Sequence, residues 1–226
     1  MHTATYLLTF ALLGTGLWLL GGHEGQPSVL ARLLNRPDVE IHRRAGWALA
    51  ALFGIALILR VRAAATFVRE SVRVNRGDGG WFRRWPVGAL TGRFGSHRGH
   101  FDPGQRVANV AFIVTFGVLI VSGIGLTTVH GGPQFVFFDR LHRWATYALM
   151  VVVAGHIAIA VGILPGYRGA WRAMHLRGRV PVRTVRRLWP ASIKADVDVP
   201  MLSAVAAEQD DRATRERPIP RGRVSR

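Results

Sequence analysis

His142 and His156 stand fourteen residues apart in one apolar stretch, Leu141 to Leu164. On a helix rising about 1.5 Å per residue, that interval is about 21 Å along the axis. Fourteen steps of roughly 100° fall about 40° short of four full turns, so both imidazoles leave nearly the same face. A helix presenting two imidazoles at different membrane depths is a natural mount for two stacked metal cofactors. Ionisable side chains at membrane depth are costly, which makes this pair a functional candidate.

The elements that must position these residues are apolar blocks. Ala4–Leu20, Ala45–Leu59, Val107–Leu126 and Tyr147–Leu164 each approach the ~20 residues that cross ~30 Å of hydrocarbon. Arg60 and Arg62 end the second block and can snorkel to the interface. The first block has the length of a signal peptide but no basic segment before it, and Leu-Trp-Leu-Leu-Gly-Gly is a poor cleavage site, so a retained helix is expected. The chain has no cysteine. That excludes disulfides, thiolate metal sites, iron–sulfur ligation and covalent c-type haem attachment. Any redox cofactor held here must use histidine, methionine or oxygen ligands.

A formal net charge of +17 on 226 residues would suggest nucleic acid in a soluble protein. Its distribution argues otherwise. Ten arginines from Arg60 to Arg106 fill the segment between blocks two and three, and a second set runs from Arg168 to Arg226. Residues 21–41 and 129–140, after blocks one and three, hold only Arg32, Arg36 and Arg140. Such alternation predicts cytoplasmic termini and middle loop, with residues 21–41 and 129–140 outside. Anionic lipid accounts for the charge more economically than nucleic acid does.

With that topology the histidines pair by depth. His42 opens the second helix and His142 the fourth, both near the outer face; His156 lies about 21 Å deeper, level with His2 at the start of the first helix. Two bis-histidine iron sites in a four-helix bundle follow, one on His42 and His142 and one on His2 and His156. Small residues complete the pattern. Gly16 is fourteen residues from His2, and Ala56, with Gly54 beside it, is fourteen from His42, so each comes level with the opposite pair. Close helix packing in membranes also selects small residues, so this supports the arrangement without being specific to it. His23, His97, His100, His130 and His175 fall in loops or flanks and read as solvated.

The expected fold is all-α: an up-and-down four-helix transmembrane bundle holding two b-type haems, with a cytoplasmic loop and a polar tail. Its helices are placed at about 2–20, 42–74, 104–128 and 138–164 in a domain spanning 1–190, followed by a basic tail, 191–226, disordered from about 197. Asn75 to Gly80 is a turn cluster, after which Trp81, Phe82 and Trp85 suggest a segment at the headgroups.

These residues resemble the gamma (cytochrome b) subunit of membrane-bound formate dehydrogenases. More broadly they resemble the four-helix di-haem cytochromes b that also serve nickel–iron hydrogenases and thiosulfate reductases. The likeness covers roughly residues 2–190. It is carried by His2, Thr15-Gly16, Ile41-His42-Arg43, Phe101-Asp-Pro-Gly-Gln-Arg106, Ser122-Gly123, Leu141-His142 and Gly155-His156-Ile157. Gly169 through Met174, Gly178 and Val180 continue it.

The resemblance implies two haem b groups on the four histidines; Gly16, Gly54 and Gly123 are then expected beside them, and Arg43, Arg44 and Arg143 either balance the outer haem propionates or simply mark the interface. It implies a menaquinone site at Asp102, Gly104, Gln105 and His156. It further implies an iron–sulfur subunit and a catalytic molybdoenzyme as partners, in a bacterial cytoplasmic membrane. The same scaffold would suit a hydrogenase or thiosulfate reductase; the rival from another class is a haem-free anchor. The chain departs from the family at Thr3, where Trp is usual, and at Asp102, where Asn is common. Asp102 followed by Pro103 fits a helix N-cap and first-turn pair, and its carboxylate could also deliver protons to a quinone.

Overall fold

The computed structural model describes residues 2–22, 26–95, 97 and 101–169, with the backbone alone for His2. His23, His100, His175, Met174, Gly178, Val180 and the tail 191–226 lie outside the described residues. Within them the chain is helical throughout: α1 (His2–Leu20), α2 (Val29–Leu34), α3 (Asp38–Leu59), α4 (Val61–Val72), α5 (Asp78–Thr91), α6 (Pro103–Thr128) and α7 (Gly132–Ala160), then a 3-10 turn at Pro165–Tyr167. Four of these helices, α1, α3, α6 and α7, are long and apolar enough to cross a membrane.

Their surfaces fit lipid as solvent. Ile58 is 77% exposed and Val151 74% exposed, although both belong to apolar runs. Most buried positions of the spans are instead small or hydroxyl-bearing, among them Thr9, Thr15, Thr115, Ser122, Ala145 and Thr146, with Leu49 and Leu149 the large apolar exceptions. Membrane helices pack by close backbone approach and by polar contacts between helices, since lipid offers no hydrophobic drive to bring them together. The hydroxyls are satisfied within their own helices, bonding back to carbonyls four residues earlier.

The spans form two antiparallel hairpins. In the first, α1 packs on α3, with Thr15 opposite His42 and Leu12 opposite Gly46. In the second, α6 packs on α7, with Ser122 opposite His142 and Gly125 under the ring of Phe138. Gly131 and Gly132, at φ +82° and +76°, make the short connection between α6 and α7, a conformation that costs glycine little. The hairpins meet where α3 touches α6, at Phe53 and Phe116.

Three features differ from the sequence expectation. The helix placed at 42–74 is two helices, because Arg60 (φ −130°, ψ 35°) leaves the helical region. The lipid-facing run ends there, and α4, with Arg62 and Arg69 beside Val61, Phe67 and Val68, is amphipathic and packs on α6 through Ser71 and Asn109. The fourth span, placed at 138–164, begins at Gly132 and ends at Ala160, where a turn through Gly162 (φ +76°) breaks the helix.

The aromatic segment after Gly80 is itself a helix, α5. It enters from Gly77 and closes on Gly92, both at positive φ. It docks on the 3-10 turn, where a Cβ on Gly166 would stand 2.3 Å from the Gly88 carbonyl oxygen, so backbone meets backbone. The Trp85 indole N–H donates to the Tyr167 hydroxyl at 2.9 Å and fixes the contact.

Candidate metal centre

His42 lies one turn into α3 and His142 near the middle of α7, and the hairpins bring their rings to 6.2 Å between centroids with planes 81° apart. A metal–imidazole nitrogen bond of about 2.0–2.1 Å and about 1.1 Å from that nitrogen to its ring centre, taken from both sides, span about 6.3 Å. The spacing therefore accommodates one metal ion between the rings. Among the described residues no three His, Cys, Asp or Glu side chains gather around a point. Two imidazoles without a third protein ligand suit a macrocycle that supplies the remaining positions itself.

The surroundings fit such a group. A cavity of about 570 Å³ opens between the hairpins, lined by Leu12, Gly16, Gly46, Phe116, Leu119, Gly123 and both histidines, with Arg43, His130, Asp139 and Arg143 also on its wall. The lining is mostly apolar. Arg143 is held by Asp139 at 3.0 Å, one turn away. Two glycines keep the imidazoles in place: a Cβ on Gly16 would come within 3.2 Å of His42 Cε1, and one on Gly123 within 3.5 Å of His142 Cε1.

Each ring is also held by a buried hydroxyl on the neighbouring helix. Thr15 Oγ1 lies 2.8 Å from His42 Nδ1, and Ser122 Oγ lies 2.9 Å from His142 Nδ1. Thr15 donates its one proton to the Ala11 carbonyl at 2.8 Å, and Ser122 donates to the Val118 carbonyl at 2.6 Å. Each hydroxyl oxygen must then accept, so each histidine carries its proton on Nδ1 and keeps the Nε2 lone pair for a metal. In the sequence Thr15 and Ser122 stand out only within the Thr15-Gly16 and Ser122-Gly123 motifs, not as site residues. The available signal was a hydroxyl–glycine dipeptide occurring once in each hairpin.

The other expected pair is less defined. α1 begins at His2, whose side chain lies outside the described residues. His156 stands edge-on to Phe112, with centroids 5.4 Å apart. Gly54, expected level with this inner pair, is not on the wall of the outer cavity, and a Cβ there would meet open space. His130, expected in solvent, is exposed and also lines the cavity.

Asp102, Gly104 and Gln105 form the first turn of α6 beside α5. Asp102 caps the helix, accepting the Gln105 amide at 2.8 Å, with Pro103 in the first turn. Gly104 admits the Trp81 indole, which a Cβ would meet at 2.9 Å. Arg106 is buried; it donates to Asp78 at 2.7 Å and to the Arg73 carbonyl. Burial pushes the Asp102 carboxyl above the usual carboxylate value, against the Gln105 amide and the charges of His97 and Arg106. At Asp78 burial acts the same way, but the Asn75 amide and the Arg106 guanidinium outweigh it and hold that carboxyl low. Burial pushes the Tyr167 hydroxyl up to about 12, against the Trp85 hydrogen bond and with help from the Asp102 charge. Gln105 Oε1, Trp81 Nε1 and both His97 nitrogens are buried here without a hydrogen-bond partner.

The family model described as prokaryotic cytochrome b561 matches residues 1–175. Neither a curated protein nor a solved structure matches the chain.

Proposed function

The chain belongs to the prokaryotic cytochrome b561 family, and on that premise we propose that it is the di-haem cytochrome b subunit of a formate dehydrogenase-type complex. The family and the four apolar helices make it a multi-pass membrane b-type cytochrome of electron transfer. In the finer reading it takes electrons from an iron–sulfur and molybdoenzyme partner on the outer side and delivers them across a bacterial cytoplasmic membrane to menaquinone, both termini being cytoplasmic.

The observation that carries the reading is the His42–His142 pair across the cavity, with its nitrogens already sorted for ligation. A b haem bound there supplies reversible one-electron exchange at its iron. His42 and His142 would hold it, Gly16 and Gly123 would leave the imidazoles room, and Arg43 and Arg143 would balance the propionate charge. His2 and His156 would hold the second haem.

Asp102, Gly104, Gln105 and His156 are proposed to receive the quinone. Support comes from the unpartnered Gln105 carbonyl oxygen, an acceptor for a quinol hydroxyl, and from Asp102, whose raised carboxyl suits it to hold and release a proton. Full quinone reduction across pH in Asp102→Asn would remove the proton role.

The deciding experiment is a pyridine haemochrome assay on purified protein. Two b haems per chain are expected, one lost in His142→Ala and the other in His156→Ala. Absence of b haem would leave the anchor reading. The subunit that co-purifies with a tagged chain separates a formate dehydrogenase from a hydrogenase, thiosulfate reductase or other molybdoenzyme partner.

A further inference from the structure

We infer that Thr15 and Ser122 are positioning residues that set both the electron-donor strength of the His42 and His142 imidazoles and the angle between their planes. The inference rests on the haem reading above and adds two residues that touch the ligands but not the metal.

The two contacts are equivalent halves of one device. Each hydroxyl sits on the first helix of its hairpin, directly before a glycine, and meets a histidine on the second helix through Nδ1. Both hydroxyls are buried, Ser122 completely, so water does not compete for the contact. Both have only one proton, and a carbonyl of their own helix takes it. Neither can therefore rotate to donate to the histidine without losing a buried backbone bond. The Leu12 carbonyl faces His42 and the Leu119 carbonyl faces His142 as a further acceptor, each four residues before the glycine.

Two consequences follow. An acceptor on Nδ1–H draws its proton outward and makes Nε2 a stronger donor, which favours the oxidised iron. A fixed Nδ1–H direction also fixes the rotation of the ring. The two hydroxyls approach from different hairpins, and the planes they hold are 81° apart. Nearly perpendicular ligand planes keep the two iron orbitals of π symmetry close in energy, which shows as a large anisotropy in the paramagnetic resonance of the oxidised haem.

Thr15→Val keeps the side-chain volume and removes the acceptor, as does Ser122→Ala with little change in size. Thr15→Ser and Ser122→Thr keep the acceptor. Full-length variants in detergent are titrated optically for midpoint potential, and the oxidised forms are measured by electron paramagnetic resonance. Thr15→Val and Ser122→Ala are expected to raise the potential of one haem, reduce its g anisotropy and weaken haem retention about 10- to 100-fold. The hydroxyl-retaining pair should stay close to wild type.

Unchanged potential and resonance in both Thr15→Val and Ser122→Ala would overturn the inference. If Thr15→Val fails to load haem, loading by Thr15→Ser supports it, and equal failure of Thr15→Ser overturns it in favour of packing. Wild-type protein without b haem, or a His42→Ala variant that retains both haems, would instead remove the underlying reading.

Discussion

At the His42–His142 end the spans stand apart around a cavity of about 570 Å³, whereas at the His156 end aromatic rings meet across the interhelical space. Phe53 packs on Phe116, Phe116 stacks with Phe112, and Phe112 meets His156. The polar bookkeeping runs the other way. Around the cavity Thr15, Ser122 and Thr146 all have hydrogen-bond partners. Among the described residues, the buried side-chain atoms without one belong to Trp81, His97, Gln105 and Arg106, all around the first turns of α5 and α6. One end is roomy and its polar groups are satisfied; the other is filled and holds buried polar atoms without partners.

The strongest way to break this contrast is to fill the roomy end. Gly16→Leu or Gly123→Leu would drive a side chain into the imidazole that the glycine now abuts, since even a Cβ comes within 3.2 or 3.5 Å of the ring. Overfilled sites of this kind are relieved only by moving the ring. Each variant is expected to lose one haem of two, read by haemochrome stoichiometry. Gly54→Leu, away from that cavity, should keep the haem held by His42 and His142. Retention of both haems in Gly16→Leu would mean that the cavity is not where the group sits.

The next test strikes the polar end. Arg106 is buried and holds Asp78 across the gap between α6 and α5. Arg106→Ala empties a buried site and leaves the partly exposed Asp78 carboxylate without its partner, a loss that approaches but does not reach the about 3–5 kcal/mol of a fully buried pair. Thermal unfolding by circular dichroism in detergent should show it, with haem content at the His42–His142 end retained until the transition. Simultaneous loss of that haem at low temperature would show that the two ends are one cooperative unit. Gly166→Ala should cost less, about 1–3 kcal/mol, because the added methyl forces α5 off the 3-10 turn.

These contrasts explain what was legible in the sequence. The four spans were, because bilayer thickness sets their length and their side chains have only lipid to face. The His42–His142 proximity followed from helix rise and loop charge alone. Thr15 and Ser122 were not legible as ligand partners, because a hydroxyl in a membrane helix ordinarily satisfies itself on its own backbone, as these also do. Helix α5 was hidden by Gly79, Gly80 and Pro86, residues that oppose helix formation locally. It forms because docking of Trp81, Trp85 and Ala89 against Phe94 and Tyr167 outweighs that propensity. The break at Arg60 separates a lipid-facing run from an amphipathic one, a change of solvent that helix periodicity does not register.

The smallest effect expected is also the sharpest on the polar end, since Asp102 and Asp78 are shifted in opposite directions. Asp102 keeps its proton to higher pH in the folded chain than in the unfolded one. Its contribution to stability is therefore complete below the unfolded carboxyl value near 4 and is lost as pH rises through the raised folded value. Asp78 does the reverse: its contribution is present above the unfolded value and is lost as pH falls through the lowered one. His97, Arg106 and Tyr167 face Asp102 and share in its field. Asn caps a helix about as well as Asp, so Asp102→Asn should keep α6 intact and remove the decline in stability above pH 4, leaving the acid-side loss from Asp78 in place. Asp102→Ala removes the cap as well and should cost about 0.5–2 kcal/mol at every pH. Parallel pH–stability curves for wild type and Asp102→Asn would show that Asp102 is ionised as readily in the folded chain as in the unfolded one, and the polar end would then have no stored proton to offer.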